Sequence, residues 1–84
     1  MDKKRLLWHC RRGMLELDWL LQGFVACGYD QLTCEQQKDF QAMLGYEDPY
    51  LLDLLMQDIP PESDHVAIIV QRVRAAAQVA AEAI

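Results

Sequence analysis

Apolar residues recur at helical spacing along nearly the whole chain, and no stretch keeps the period of two that marks a strand. The longest apolar stripe predicts a helix over about residues 14–27, ended by Gly28. Its inward positions are Met14, Leu17, Leu20, Leu21, Phe24 and Val25. A shorter stripe predicts a preceding helix over residues 2–12, and its inward positions are Leu6, Leu7 and Cys10.

Local signals bound a third helix. Residues 29–32 are interpreted as a connector, after which Thr33 and Gln36 have the spacing of a capping box. The helix that follows ends at Gly45. Its inward positions are Phe40, Met43 and Leu44.

Proline marks both ends of a fourth, short helix. Asp48 is expected to be the N-cap and Pro49 the first helical residue, which predicts a helix over about residues 49–57. Because its apolar side chains surround the axis, we expect this helix to be central to the core. Those side chains are Leu51, Leu52, Leu54, Leu55 and Met56. Pro60 and Pro61 then interrupt the chain.

A fifth helix follows the two prolines, with Ser63 or Asp64 as its cap. Its core-spaced residues are Val66, Ile69, Val70, Val73, Ala76, Ala77 and Ala80. The 84-residue chain is therefore predicted to be all-α, a single compact domain of five helices over residues 1–84. A chain this short buries only about 60–65% of its unfolded surface, too little for a core and a deep enzymatic cleft. That favours a binding module over an enzyme.

The net charge of −5 is unevenly distributed along the chain. Residues 1–12 carry five basic residues and one acid, whereas residues 13–71 carry eleven acids and one lysine. Nucleic-acid binding needs broad neutralisation of phosphates, so an acidic body with one basic segment argues against a general nucleic-acid partner. It suits a protein partner of mixed charge.

Cysteine and histidine usage predicts neither a disulfide framework nor a metal site. Cys10, Cys27 and Cys34 are an odd number without a CxxC pair, which indicates reduced thiols. His9 and His65 lie in different predicted helices, each without a second ligand one turn away. The chain has no signal-peptide pattern, no Arg- and Ser-rich transit segment and no apolar run of membrane-spanning length. We therefore expect a cytoplasmic bacterial protein without membrane insertion.

The chain changes from basic to acidic where its N-terminal segment meets the first long apolar stripe. Gly13 inside a helix would cost about 1 kcal/mol relative to alanine, so it predicts a joint between two helices. A helix that starts just after it would carry Glu16 and Asp18 in its first turn, where carboxylates are favoured. Arg11 and Arg12 are then expected to point outward.

Two interpretations of this joint remain open from the residues alone. Exposed arginines beside a glycine that admits another backbone could form a docking patch, because guanidinium donors fit carboxylates, carbonyls and phosphates. The alternative is a capped helix junction with solvated charges. Trp8 is likewise either a lid on the core or part of a partner surface.

A longer string around the joint resembles a known family. The string is Trp8-x-Cys10-Arg11-Arg12-Gly13-Met14-x-Glu16-Leu17-Asp18. It resembles the SdhE and succinate dehydrogenase assembly factor 2 family, small factors that promote covalent flavin attachment and share an Arg-Gly-x-x-Glu motif. The similarity covers most of residues 5–75, and its further positions are Phe24, Tyr29, Asp30, Leu32, Phe40, Leu44, Asp48, Pro49 and Leu51 to Met56. Two features depart from the family pattern: Leu55, where many relatives are expected to carry tryptophan, and the Ala-rich C-terminal tail.

The resemblance implies a chaperone-like assembly factor rather than an enzyme. Its implied partner is the flavoprotein subunit of succinate dehydrogenase, with that of fumarate reductase as a second candidate. FAD would become linked to a histidine of the partner, so FAD belongs to the partner and this chain binds no cofactor stably. The implied docking residues are Arg12, Gly13 and Glu16 by motif match, Arg11 and Asp18 as neighbours, and Trp8 and His9 as flanks.

Two other functional classes stay open. A small helical regulator, antitoxin-like or transcription-associated, would use the basic N-terminus, and its binding should weaken steeply with salt. A small catalytic thiol protein would rely on Cys10. On a helix, however, the adjacent His9 points about 100° away from it, and the sequence supplies no other base.

Overall fold

The computed structural model describes residues 2–82 of the chain, with side chains described through residue 79. Its helices are α1 (Lys3–His9), α2 (Leu15–Cys27), α3 (Cys34–Met43), α4 (Asp48–Leu55) and α5 (Asp64–Glu82), with a 3₁₀ turn (Tyr29–Gln31) between α2 and α3. Residues 2–82 contain no strand. The prediction of an all-α fold with five helices is confirmed.

The helices enclose one hydrophobic core. α5 packs against α2, α3 and α4, and α1 packs against α2. The centre of the core is aromatic: the ring centroid of Phe40 lies 5.2 Å from that of Phe24 and 5.6 Å from that of Tyr29, in tilted arrangements. The predicted inward residues of α2 from Leu17 to Val25 are buried, as are Met43 and Leu44 at the end of α3.

The first helix is shorter than the predicted range 2–12. It starts after Asp2, whose carboxylate accepts a backbone N–H from the first turn, and it ends at His9. Only Leu6 and Cys10 of its predicted stripe are buried, whereas Leu7 is 38% exposed. A helix of two turns that lies on the surface of the core contacts the core through one line of side chains only, here Leu6 and Cys10, one turn apart.

Downstream helix boundaries follow their local signals. α2 ends before Gly28, as predicted, and packing accounts for the glycine there, because a Cβ at Gly28 would lie 2.7 Å from the Phe24 ring. Thr33 and Gln36 make both hydrogen bonds of the predicted capping box, at 3.1 and 3.0 Å. Ser63 caps α5 by accepting a backbone N–H of the first turn at 3.3 Å.

The fourth helix, predicted over about residues 49–57, spans Asp48–Leu55 and also differs from its prediction in its cap and in its burial. Asp48 is not the N-cap; Glu47 occupies that position without a side-chain hydrogen bond, and the Asp48 carboxylate contacts Arg12 instead. Leu52 is only partly buried and Met56 is 44% exposed. The short helix turns one face to the core, and the buried residues of that face are Leu51, Leu54 and Leu55.

The fifth helix closes the core. Its predicted residues Val66, Ile69, Val70 and Val73 are buried, Ala76 and Ala77 are partly buried, and the side chain of Ala80 lies outside the described residues. Arg74 Nη1 donates to the carbonyl oxygen of Leu55 at 2.6 Å and so ties α5 to the end of α4. Within residues 2–82, no helix combines the length and the apolar character needed to cross a membrane.

Candidate functional site at the α1–α2 joint

A sharp turn centred on Gly13 connects α1 to α2. Gly13 has a φ of +80°, a conformation that costs other residues about 1–2 kcal/mol. A Cβ at this position would meet no atom within 4 Å, so the space in front of the turn is open. The predicted joint is therefore confirmed, and its backbone angle accounts for the glycine.

The side chain of Arg12 points into the protein, so the expectation that it faces outward is wrong. Its Nε donates to the carbonyl oxygen of His9 at 2.8 Å, and its Nη2 donates to that of Leu44. Its Nη1 lies 3.2 Å from Asp48 Oδ1, and only 14% of the Arg12 side chain is exposed. The planar guanidinium inserts here because three acceptors from α1, the end of α3 and α4 converge on its fork of donors.

Asp18 holds the same turn from the other side. Its Oδ1 accepts the backbone N–H of Arg12 at 2.6 Å, from the first turn of α2. Arg12 and Asp18, both assigned to the docking surface by the resemblance, thus make the internal contacts that fix the shape of the joint. The backbone N–H of Arg12 is non-helical, and without Asp18 it would lose its acceptor.

The remaining predicted site residues are exposed. We call them the joint surface: Trp8, His9, Arg11, Gly13 and Glu16. Trp8 is 70% exposed, so its interpretation as a lid on the core is wrong. The guanidinium carbon of Arg11 lies 5.9 Å from the centroid of the Trp8 ring, a cation–π arrangement that contributes about 0.5–1 kcal/mol between exposed groups.

Residues that the sequence analysis missed extend this surface along α2. Leu15, Trp19, Gln22 and Gly23 line a shallow groove of about 950 Å³, which we call the α2 groove. Arg11, Glu16 and Asp18 line it as well. Leu15, Trp19 and Gly23 are spaced by four residues, one turn apart, on a face of α2 that the buried stripe does not use. The four-residue spacing of these positions was the sequence signal that could have predicted the α2 groove.

Cys10 lies in the core beneath the joint. It is fully buried, and this burial raises the pKa of its thiol to about 11, with the nearby Arg12 cation opposing the shift and Asp18 adding to it. The adjacent His9 is exposed, so the two side chains face different surroundings. A protonated, enclosed thiol is a poor nucleophile, which argues against the catalytic thiol alternative.

This burial predicts selective thiol labelling. In the native protein near pH 8, we expect an aromatic disulfide reagent to modify the exposed Cys27 and Cys34, and to reach Cys10 only after denaturation. Each modified cysteine releases one aromatic thiolate from the reagent. The amount of this thiolate before and after adding denaturant gives the number of accessible cysteines. Rapid native labelling of all three thiols would contradict the burial.

The pKa of the Cys10 thiol is raised from 9.0 to about 11 in the folded protein. The stability that comes from keeping this thiol protonated in the core is therefore complete below pH 9 and declines as the pH rises toward 11.

Comparison with known proteins shows the family of this chain. A family model described as "Sdh5: Flavinator of succinate dehydrogenase" matches residues 4–77. The FAD assembly factor SdhE of Legionella pneumophila (strain Paris) is 50% identical over 68 residues, which are 81% of this chain and 86% of the relative. The FAD assembly factor SdhE of Coxiella burnetii is 38% identical over 74 residues, 88% of this chain and 90% of the relative. That of Pseudomonas aeruginosa is 48% identical over 61 residues, 73% of each chain.

The matched range contains the whole joint, including Arg12, Gly13 and Glu16 of the Arg-Gly-x-x-Glu motif. The family suggested by that string is therefore confirmed by similarity along most of the chain. The chain belongs to the Sdh5/SdhE family of FAD assembly factors, flavinators of succinate dehydrogenase, which are assembly factors and not catalytic enzymes.

Proposed function

We propose that this protein binds the flavoprotein subunit of succinate dehydrogenase through the joint surface and promotes covalent attachment of FAD to that subunit. The flavoprotein subunit of fumarate reductase is a second candidate partner. One observation carries the docking assignment: Gly13 has open space in front of it, with the exposed cation of Arg11 and the exposed anion of Glu16 on either side in sequence. A partner backbone that approaches the glycine would meet both charges.

The rigidity of the joint supports this proposal. Arg12 and Asp18 fix the turn from inside, and the Trp8 ring lies beside the Arg11 guanidinium on the outside. Groups that are already ordered lose less conformational entropy when a partner binds. The backbone turn at Gly13 would therefore meet the partner in nearly its final conformation.

The chemistry of flavin attachment is assigned to the partner. FAD and the histidine that receives it belong to the flavoprotein subunit, and this chain binds no cofactor stably. An assembly factor accelerates such a self-attachment by binding more tightly to the subunit conformation in which the histidine and the flavin are aligned. Each tenfold preference for that conformation corresponds to about 1.4 kcal/mol.

We place this activity in the bacterial cytoplasm. The relatives named above are bacterial proteins. Cys27 and Cys34 are exposed free thiols, which suit a reducing compartment.

The test of the docking surface uses Arg11→Ala and Glu16→Ala in cells that lack the native factor. Both side chains are exposed, so we expect Arg11→Ala to change the free energy of unfolding by less than about 0.5 kcal/mol, and Glu16→Ala, which removes a carboxylate from the first turn of α2, to lower it by less than about 1 kcal/mol. We expect covalent flavin on the partner subunit to fall strongly in both strains, because the partner loses one of its two charged contacts. In-gel flavin fluorescence of that subunit measures the effect.

Matched controls come from the same chain. Glu35 occupies the first turn of α3 as Glu16 occupies that of α2, and Arg72 is an exposed arginine on α5. Glu35→Ala and Arg72→Ala should leave the fluorescence at the wild-type level. Undiminished fluorescence with Glu16→Ala, at equal amounts of protein, would refute the assignment of Glu16 to docking.

A further inference from the structure

The α2 groove exposes two large apolar side chains that the monomer does not use. Leu15 is 87% exposed and Trp19 is 52% exposed, one turn apart on the outer face of α2. The core is filled from the opposite face of the same helix by the stripe that includes Leu17 and Leu21. Contiguous exposed apolar surface that is flanked by polar residues is typical of interaction sites. Trp is also among the residues most enriched at binding hot spots.

Gly23 continues the same line of positions one turn beyond Trp19. Glycine within a helix is destabilising relative to alanine. Its backbone angles here are not of the positive-φ kind, and an added Cβ would meet no atom within 4 Å. Neither the local backbone nor the packing of the monomer therefore accounts for this glycine. The absence of a side chain leaves α2 open to the close approach of another backbone.

We propose that the α2 groove receives a segment of the flavoprotein subunit that inserts an apolar side chain between Leu15 and Trp19 and passes its backbone over Gly23. This inference rests on the proposed function, because the groove is continuous with the joint surface: Arg11 and Glu16 belong to both. Their opposite charges favour a segment that offers a carboxylate or carbonyl oxygen to Arg11 and an N–H donor to Glu16. The partner segment is thus an apolar anchor between polar contacts of both kinds.

The test compares the affinities of full-length variants for the purified flavoprotein subunit by titration calorimetry. We expect Trp19→Gln to weaken binding by about tenfold or more. Leu15→Gln should weaken it less, because tryptophan is enriched among hot-spot residues and leucine is not. Val79→Gln is the matched control, since Val79 is a 66% exposed apolar residue of α5 outside the groove. It should bind as the wild type does.

Gly23→Gln separates docking from a structural role. Glutamine is a better helix former than glycine, and the structure leaves room for its Cβ, so we expect the melting temperature to rise. If a partner backbone crosses α2 at this point, the same variant should bind more weakly although it is more stable. If Gly23 affected only the stability of α2, the more stable variant would bind at least as tightly as the wild type.

The outcomes distinguish this inference from the proposed function. If Leu15→Gln, Trp19→Gln and Gly23→Gln all bind like the wild type while Glu16→Ala does not, the groove proposal is overturned and the joint surface stands. If Glu16→Ala also keeps full binding and full flavin attachment, the proposed docking surface itself fails. Sedimentation of the isolated protein tests the other occupant: a wild-type dimer that Trp19→Gln dissociates would show that a second copy fills the groove, which overturns the proposal.

Discussion

Replacing Arg12 with alanine is expected to lower the free energy of unfolding by about 2–3 kcal/mol. The substitution leaves the Asp48 carboxylate and the Leu44 carbonyl oxygen without their donor in a partly buried site. It also disconnects the joint from the corner between α3 and α4. For a chain of this size, the melting temperature should fall by roughly 10 °C or more. Urea denaturation followed by circular dichroism gives the free energy directly.

The adjacent arginine supplies the control for this prediction. Arg11→Ala removes the same chemical group from an exposed position, so its effect on stability should stay within about 0.5 kcal/mol. Arg12→Lys keeps the charge but loses the fork of donors, and we expect an intermediate stability. If Arg12→Ala and Arg11→Ala unfold at the same urea concentration, the internal contacts of Arg12 do not stabilise the fold.

The two arginines should also differ in how they affect flavin attachment. Arg12→Ala acts by destabilising the fold and with it the turn that presents Gly13, so its effect should diminish at lower growth temperature, at which a larger fraction of the protein is folded. On the proposed docking surface, Arg11→Ala removes a contact with the partner and should remain defective at every temperature. In-gel flavin fluorescence at two growth temperatures separates the indirect effect from the direct one.

The helices were predictable because their signals are local. The stripe of α2, the Thr33 capping box and the two prolines before α5 each act within a few residues, and each occurs where predicted. The direction of Arg12 was not predictable in this way. Its acceptors Leu44 and Asp48 lie 32 and 36 residues away, at a corner that exists only in the folded chain.

Asp48 illustrates the same limit. Its position before proline fits an N-cap, yet its carboxylate pairs with Arg12 and the helix begins one residue earlier. The α2 groove was missed for a different reason. One stripe explains how α2 contacts the core, and it leaves Leu15 and Trp19 without a role. A helix that is apolar on two faces indicates a second contact, and only the exposure of those side chains identifies which face makes it.

Replacing Gly13 with arginine is expected to abolish stimulated flavin attachment while most of the protein stays folded. The positive φ of Gly13 makes any side chain cost about 1–2 kcal/mol, but no atom within 4 Å clashes with a new Cβ. The added side chain would occupy the open space in front of the turn and place a second cation beside Arg11. A partner backbone could then no longer reach the joint. In-gel flavin fluorescence of the partner subunit and circular dichroism of the variant measure the two effects.

Gly13→Ala is the matched control, since it imposes a similar backbone strain and adds a single carbon. The alanine and arginine variants should therefore lose comparable stability, while the alanine variant keeps most of its flavin attachment. Gly13→Asn should lose less stability than either, because asparagine tolerates the left-handed conformation. Equal loss of flavin attachment in the alanine and arginine variants would mean that the shape of the turn, and not access to it, limits docking. Full attachment in the arginine variant would remove Gly13 from the docking surface, because a side chain of that size cannot share the space with a bound backbone.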